Sequence, residues 1–248
     1  MSTTPVPELS LQVLREQYQR LLERLEANER EFRRLGRAVW NVQEDERRRL
    51  ARELHDGLGQ NLTALKHRLA QLLDIAPQNA TQLRDGLATA LTLCGESLED
   101  TRQLSRLLRP PILDDLGLAP ALQWLARSID AAGTMDVVTE LEPLPPLDGE
   151  LQTLLFRVAQ EALTNAVKHA KAQSVLLRLI ARNGELQLQV IDDGAGCDVE
   201  RALRAGGSGL SGMRERLRLY AGRLELRSVP GQGTRLRAVV PTHIRDTA

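Results

Sequence analysis

Aromatic side chains are scarce in this 248-residue chain: two Trp, two Tyr and two Phe make up 2% of it. That scarcity removes the stacking platforms on which binders of single-stranded nucleic acid depend. An excess of one charge is missing too, because 33 Lys and Arg balance 33 Asp and Glu. Zero net charge leaves no electrostatic footprint for nucleic acid or an anionic membrane surface, so neither is expected as a direct partner. Cysteine is confined to Cys94 and Cys197, far apart and without metal-like spacing. Two such thiols suit a reducing cytoplasm better than a disulfide scaffold. Cys94 falls at a helical core spacing and reads as a small buried hydrophobe. No stretch approaches the roughly 20 apolar residues of a membrane-spanning helix. Residues 1–10 lack the basic-then-apolar layout of a signal peptide and are expected to be disordered. The expectation is a cytoplasmic chain without a membrane span, long enough for two small domains or one with a helical extension.

What is present is first of all a heptad pattern. Leu11, Leu14, Tyr18, Leu21, Leu25, Phe32, Leu35, Val39 and Val42 step by three and four, with Asn28 in the one polar seam position. Arg and Glu fill the flanks, so residues 11–43 read as a coiled coil, and a narrow apolar stripe calls for a homodimer. Beyond Val42 the seam continues through Leu50, Leu54, Leu58 and Leu62, four apart each time, a stutter that locally unwinds the supercoil. A second periodic stretch carries Leu83, Leu87, Leu91, Cys94, Leu98, Leu104 and Leu108. Pro77 and Asn79 lie in the turn between the two stretches, and Pro110-Pro111 stops the second helix. Residues 44–110 are thus expected to form a helical hairpin that dimerises into a four-helix bundle.

From residue 111 to 244 the pattern turns mixed. Helices are expected over 118–129, 151–170 and 210–220, with strands over 135–141, 175–181, 185–191, 223–228 and 234–240. Asn183-Gly184 is a strong hairpin signal. Helices flanking antiparallel strands indicate an α+β two-layer sandwich.

Three places carry chemistry. His55 directly follows seam residue Leu54, so its side chain is rotated about 100° off the seam toward solvent. Gly57 and Gly59 leave that face bare, although a mid-helix glycine costs about 1 kcal/mol relative to alanine. A neutral imidazole is a competent nucleophile, and the adjacent Asp56 can orient one ring nitrogen by accepting its proton. Gln60 lies four residues beyond Asp56, on its face, placed to hold a water. In the second place, Glu161, Asn165, Lys168 and His169 recur at helical spacing and share one face, with Leu163, Ala166, Val167 and Ala170 expected in the core. The amide oxygen of Asn165 suits Mg²⁺, and Lys168 and His169 suit phosphates. In the third place, a strand runs into Asp192-Asp193-Gly194-Ala195-Gly196, where an acidic residue can bond an adenine amino group. The run Gly206-Gly207-Ser208-Gly209-Leu210-Ser211-Gly212 then opens a helix whose amide-rich start attracts phosphate. A closing hairpin carries Gly233-Thr234. Taken singly, each of these is more often a solvated face or a flexible loop; their order along one chain is what makes them specific.

Carrying these motifs, residues 44–240 closely resemble the bacterial two-component sensor histidine kinases whose phosphoacceptor box reads His-Asp-x-x-x-Gln, the nitrate-sensor and DesK-like subgroup. The segment from Leu113 to Leu118 also looks like the stretch that follows the bundle there. The resemblance implies that His55 is autophosphorylated, that Asp56 is its base and that Gln60 aids phosphatase action on a response regulator. It implies a Bergerat (GHKL) ATP-binding fold shared with gyrase, Hsp90 and MutL. In that fold Asn165 would hold Mg²⁺ beside Glu161 and Lys168, Asp192 would contact adenine, and Gly194 and Gly196 would line the base pocket. Gly207, Gly209 and Gly212 would form the second glycine box, with His169, Leu210 and Thr234 counted in the nucleotide site. The implied partner is a receiver domain, typically with a LuxR-type helix-turn-helix output. Two rivals remain: a GHKL-type ATPase using Glu161 to activate water, and a non-enzymatic dimeric scaffold with a degenerate nucleotide site.

A geometric expectation follows from helix lengths alone. The C-terminal domain should hang on the order of 15 Å beneath His55, on a flexible Pro110-Pro111 hinge that swings it up to its own histidine or its partner's.

Overall fold

The computed structural model describes residues 8–131, 133, 135–199 and 208–243, with side chains from residue 13 onward except at residue 208. Helix α1 runs unbroken from Glu8 to Glu53, roughly 70 Å at 1.5 Å per residue. It already includes 8–10, which the sequence assigned to a disordered terminus. Ion pairs three or four residues apart, such as Arg33 with Glu29 and Arg49 with Glu46 and Glu53, stitch its surface, each adding about 0.2–0.5 kcal/mol. Tyr18, Leu21, Leu25, Phe32, Leu35, Val39 and Val42 stand exposed along one side, the unpaired seam of the expected coiled coil.

A π-helical turn, Leu54–Gly59, interrupts the α-helix where the four-residue spacing falls. A wide i→i+5 turn holds more residues per revolution, so it absorbs consecutive steps of four inside the helix itself. Helix α2 (Gln60–Ile75) continues the arm, and α3 (Thr81–Leu108) returns antiparallel to it. Arg84 closes the turn by donating to the carbonyls of Leu73 and Ala76 at 3.0 and 2.9 Å. Cys94 is buried, its thiol 3.3 Å from the Leu62 carbonyl. Ser105 donates to the Ala51 carbonyl at 2.9 Å, tying the foot of α3 to α1.

After α4 (Pro111–Asp115) and α5 (Leu118–Asp130) come β1 (Asp136–Leu141) and α6 (Gly149–Asn165). A second π turn, Ala166–Ala170, extends α6. The chain then forms β2 (Ser174–Arg182), β3 (Glu185–Asp192), α7 (Ser208–Leu219), β4 (Arg223–Ser228) and β5 (Thr234–Pro241). The sheet order is β1-β2-β3-β5-β4, with β1 parallel to β2 and every other pair antiparallel. Asn183 and Gly184 both have positive φ, 53° and 75°, the backbone that a two-residue type I′ turn requires. Alternate strand residues Val175, Leu177, Leu179, Leu186, Leu188 and Val190 are buried against α5, α6 and α7. The other sheet face carries polar pairs such as Arg223 with Glu185 and Arg237 with Glu225. The result is the expected two-layer α+β sandwich, one face wet and one dry.

The hinge is where structure and sequence part. Pro110 is buried, and Arg109 is pinned to Asp114 at 2.7 Å and to Thr153 at 3.2 Å. Arg157 of α6 donates to the carbonyls of Leu107 and Leu108 and pairs with Glu44 of α1 at 2.8 Å. The joint is therefore clamped rather than loose, by charged side chains far from it in sequence. Truncating one member of a buried pair like Glu44–Arg157 leaves an uncompensated charge, typically costing about 3–5 kcal/mol.

Candidate active site

On the stem, the π turn carries His55 outward: its side chain is 66% exposed. Nδ1 lies 2.9 Å from Oδ1 of Asp56. A carboxylate can only accept, so in the neutral ring Nδ1 carries the proton and Nε2 keeps its lone pair. Gly57 has open space where a side chain would stand, and a Cβ on Gly59 would meet only the Leu54 carbonyl at 3.6 Å. Thr63 satisfies the Gly59 carbonyl at 2.7 Å, steadying the exit of the wide turn. Gln60 shares with His55 a groove of about 330 Å³ between the two arms of the hairpin.

In the sandwich, a cleft of about 640 Å³ opens between the end of α6, the end of β3, the start of α7 and the β4–β5 hairpin. It is lined by Glu161, Asn165, Lys168, His169, Asp192, Gly196, Gly209, Leu210 and Thr234, nine of the residues singled out from sequence. Gly194 and Gly212 are not in its lining, and Gly207 lies outside the described residues. Leu163, Ala166 and Ala170 are buried as expected, but Val167 is 36% exposed. The π turn beginning at Ala166 changes the helical phase, so Val167 leaves the core face while Lys168 and His169 reach the cleft.

The two neighbouring aspartates do different work. Asp192 accepts at Oδ1 from the backbone N–H of Gly194 at 3.0 Å and of Thr234 at 3.2 Å, which fixes its carboxyl at the cleft. Asp193 accepts at Oδ1 from Gln173 and Ser174 N–H, 2.8 and 3.0 Å away, and so caps the start of β2. The Ser174 N–H, ahead of the opposing effect of burial, holds the Asp193 carboxyl below its usual range.

Glycine is required here by close approach. A Cβ on Gly194 would overlap Ala170, and one on Gly196, at φ +62°, would overlap the Val229 carbonyl. Gly231 N–H donates to the Ala195 carbonyl at 2.6 Å, and Cys197 N–H donates to Ser228 Oγ at 2.8 Å. Gly209 lets the first turn of α7 close on Glu161 and Asn165, since a Cβ there would overlap Glu161 Oε1. The outcome is a cleft with a fixed carboxylate at one end and two oxygen-bearing side chains facing a helix start at the other.

Sequence reasoning missed part of the cleft wall: Ala162, Thr164, Val190, Cys197, Leu226 and Leu236. The strand members Val190, Leu226 and Leu236 could have been found from alternation, because they face the same way as the buried positions of β3 and β5. Among the described residues no group of three or more His, Cys, Asp or Glu stands close enough to hold a metal by itself. No described helix is long and apolar enough to cross a membrane.

Comparison with known proteins bears on these two places. Residues 46–113 match the family described as histidine kinase. Residues 150–244 match the histidine kinase-, DNA gyrase B- and HSP90-like ATPases. The chain is 37% identical over 223 residues to the sensor histidine kinase MctS of Rhizobium johnstonii, a match covering 84% of this chain and 45% of that protein. It is 32% identical over 211 residues to the sensor histidine kinase LiaS of Bacillus subtilis, covering 83% and 58%. With the sensor histidine kinase ComP of the same organism the figures are 34% over 205 residues, 80% and 27%. The chain thus spans about half of the first two relatives and a smaller part of the third. The histidine kinase domain of the Erythrobacter litoralis blue-light activated histidine kinase shares the fold, with a TM-score of 0.50 at 20% identity over 74% of this chain and 94% of that one.

Proposed function

The chain belongs to the histidine kinases, and from that membership we propose that it is the kinase core of a two-component sensor, phosphorylating itself on His55 and passing the phosphoryl group to a response regulator. The single observation that carries the reading is the solvent-facing imidazole of His55 with Nδ1 held 2.9 Å from Asp56, on the same chain as the cleft around Asn165 and Asp192.

The side chains at the cleft fit magnesium ATP. Glu161 presents Oε1 beside the first turn of α7, with the side-chain amide of Asn165 next to it, and Mg²⁺ takes one or two side-chain oxygens while keeping waters and phosphates as its other ligands. Asn165 would hold the metal. Asp192, already oriented by two backbone donors, receives the amino group of adenine. Lys168 and His169 meet the phosphates at the rim, and the start of α7 adds its N–H groups. When bound, ATP supplies the γ-phosphoryl group.

His55 Nε2 attacks the γ-phosphorus in line; the Nε2–P bond forms as the bond to the bridging oxygen breaks, and ADP leaves. Asp56 holds the proton at Nδ1 and balances the positive charge that develops on the ring. General-base help of this kind is typically worth about 10²–10⁴-fold. Most of the remaining acceleration comes from positioning and charge neutralisation. The phosphoryl group then moves to an aspartate of a receiver domain, with a LuxR-type output as the expected partner class. Gln60, beside His55, holds the water that later removes it from the regulator. The setting is the cytoplasm, and the exposed seam of α1 pairs with a second copy.

The test is incubation of the dimer with γ-labelled ATP. Label is expected on the wild type and absent from His55→Gln, while both bind a fluorescent ADP analogue equally. Equal labelling of the two would overturn the reading.

A further inference from the structure

Arg47, Arg48, Arg49 and Arg52 precede His55 on the last turns of α1. The first three are taken. Arg47 pairs with Glu44, Arg48 with Asp114, and Arg49 with both Glu46 and Glu53. Arg52 is different: exposed, it forms no ion pair among the described residues, and only its Nε is engaged, donating to the Arg48 carbonyl at 3.4 Å. Both ends of its guanidinium fork are open. The acidic side chain at helical spacing above it is Asp56, and that carboxylate is already bonded to His55 Nδ1. Three residues before His55 and four before Asp56, Arg52 stands one turn below the pair and between them around the helix axis. It shares with Asp56 and Gly57 an open groove of about 690 Å³, and a Cβ on Gly57 would meet nothing there.

We propose that Arg52 is a catalytic residue of the phosphoryl transfer, its guanidinium binding two equatorial oxygens of the γ-phosphoryl group while Nε2 of His55 attacks the phosphorus. The proposal rests on the reading of His55 as acceptor. Side chains of a helix lean toward its N-terminus, so the imidazole covers the turn that Arg52 begins and not the turn beyond. An incoming phosphate has to approach the carboxylate of Asp56, whose negative charge repels it. Arg52 stands below and between the imidazole and that carboxylate, where a positive charge offsets the repulsion. Its planar fork matches two phosphate oxygens, whereas a lysine would offer a point charge. The bond changes stay those of the transfer itself. Nε2–P forms, the bond from phosphorus to the bridging oxygen breaks, and its electron pair leaves on ADP. The proton stays on Nδ1, and Arg52 gives up none.

The test compares the full chain with two variants at saturating magnesium ATP, reading the initial rate of phosphate incorporation at His55. Arg52→Gln is expected to lower that rate roughly 10- to 100-fold, the worth of a charge-assisted hydrogen bond. Its affinity for a fluorescent ADP analogue should stay within about twofold, because ADP lacks the group that Arg52 binds. Return of the phosphoryl group from His55 to added ADP crosses the same transition state, so it should slow as well. Arg52→Gln breaks no ion pair, and its melting temperature should match the wild type. Arg49→Gln removes a charge from the same groove, but one already held by two glutamates, and should label within about twofold of the wild-type rate. A wild-type rate in Arg52→Gln overturns the role. So does a loss that Arg49→Gln reproduces, one explained by weaker ADP binding, or one confined to the forward direction. If no form takes phosphate on His55, wild type included, the kinase reading itself falls, and the role of Arg52 with it.

Discussion

Thr234 donates its backbone N–H to Oδ1 of Asp192 at 3.2 Å, joining the end of β3 to the start of β5 across 42 residues. The same oxygen accepts from Gly194, so the carboxyl is aimed before any ligand arrives. A base-contacting carboxylate gains from such preorganisation because little ordering remains to be done on binding.

Asp192→Ala should therefore weaken nucleotide binding by the worth of a charged hydrogen bond, about 1.5–3 kcal/mol, or roughly 10- to 100-fold in Kd. Titration with a fluorescent ADP analogue reads this directly. Asp193→Ala, which strips the cap from β2 and leaves the cleft lining intact, should lower thermal stability and change nucleotide affinity far less. A larger affinity loss at Asp193 than at Asp192 would reverse this division of labour.

Gly196→Ala meets two obstacles at one position. Its φ of +62° is costly for any residue with a Cβ, and that Cβ would overlap the Val229 carbonyl. Strain of about 1–3 kcal/mol from the backbone alone is expected, with the overlap added to it. Calorimetry should show a less stable sandwich while the stem unfolds as before. Gly57→Ala, in open space on the stem, should instead be neutral or stabilising by up to about 1 kcal/mol.

Acid should loosen the joint. Burial pushes the Asp114 carboxyl up, but hydrogen bonds from Arg109 and Arg48 outweigh it and leave the group below its ordinary value. A folded-state pKa that is depressed contributes stability fully above the unfolded value of about 3.9, and loses it as pH falls through the lowered folded value. In a chain carrying Trp124→Phe, Trp40 is the sole tryptophan, held by α1 in the sandwich core. Its emission should accordingly move to the red as pH drops below about 4, and Asp114→Asn should remove part of that transition. An identical acid profile in both chains would exclude Asp114 from holding the joint.

Much of the fold is legible in the sequence, for a physical reason. Heptad spacing, the Asn183-Gly184 turn and the shared face of Glu161, Asn165, Lys168 and His169 are local patterns, and local geometry decides them. The π turns at Leu54 and Ala166 were visible only indirectly. The run of four-residue steps marks the first, while nothing in the sequence marks the second, and so Val167, expected in the core, stands partly exposed. The clamp at Pro110 was invisible because Glu44 and Arg157 are 113 residues apart. A charge reads as solvated until its partner is known, and only folding brings that partner near. Asp192 is singled out over Asp193 only by the family resemblance; the donors that separate the two in the fold, Thr234 for Asp192 and Gln173 and Ser174 for Asp193, are far away in sequence.

The most direct measurement is the chemistry of the phosphate left on the protein after incubation with γ-labelled ATP. Autophosphorylation on His55 requires a phosphorus–nitrogen bond at Nε2, labile in acid and stable in base, located to that peptide by mass spectrometry and resolved to the ring nitrogen by ³¹P NMR. Acid-stable phosphate on a hydroxyl side chain, or release of inorganic phosphate with His55 unmodified throughout, would contradict it.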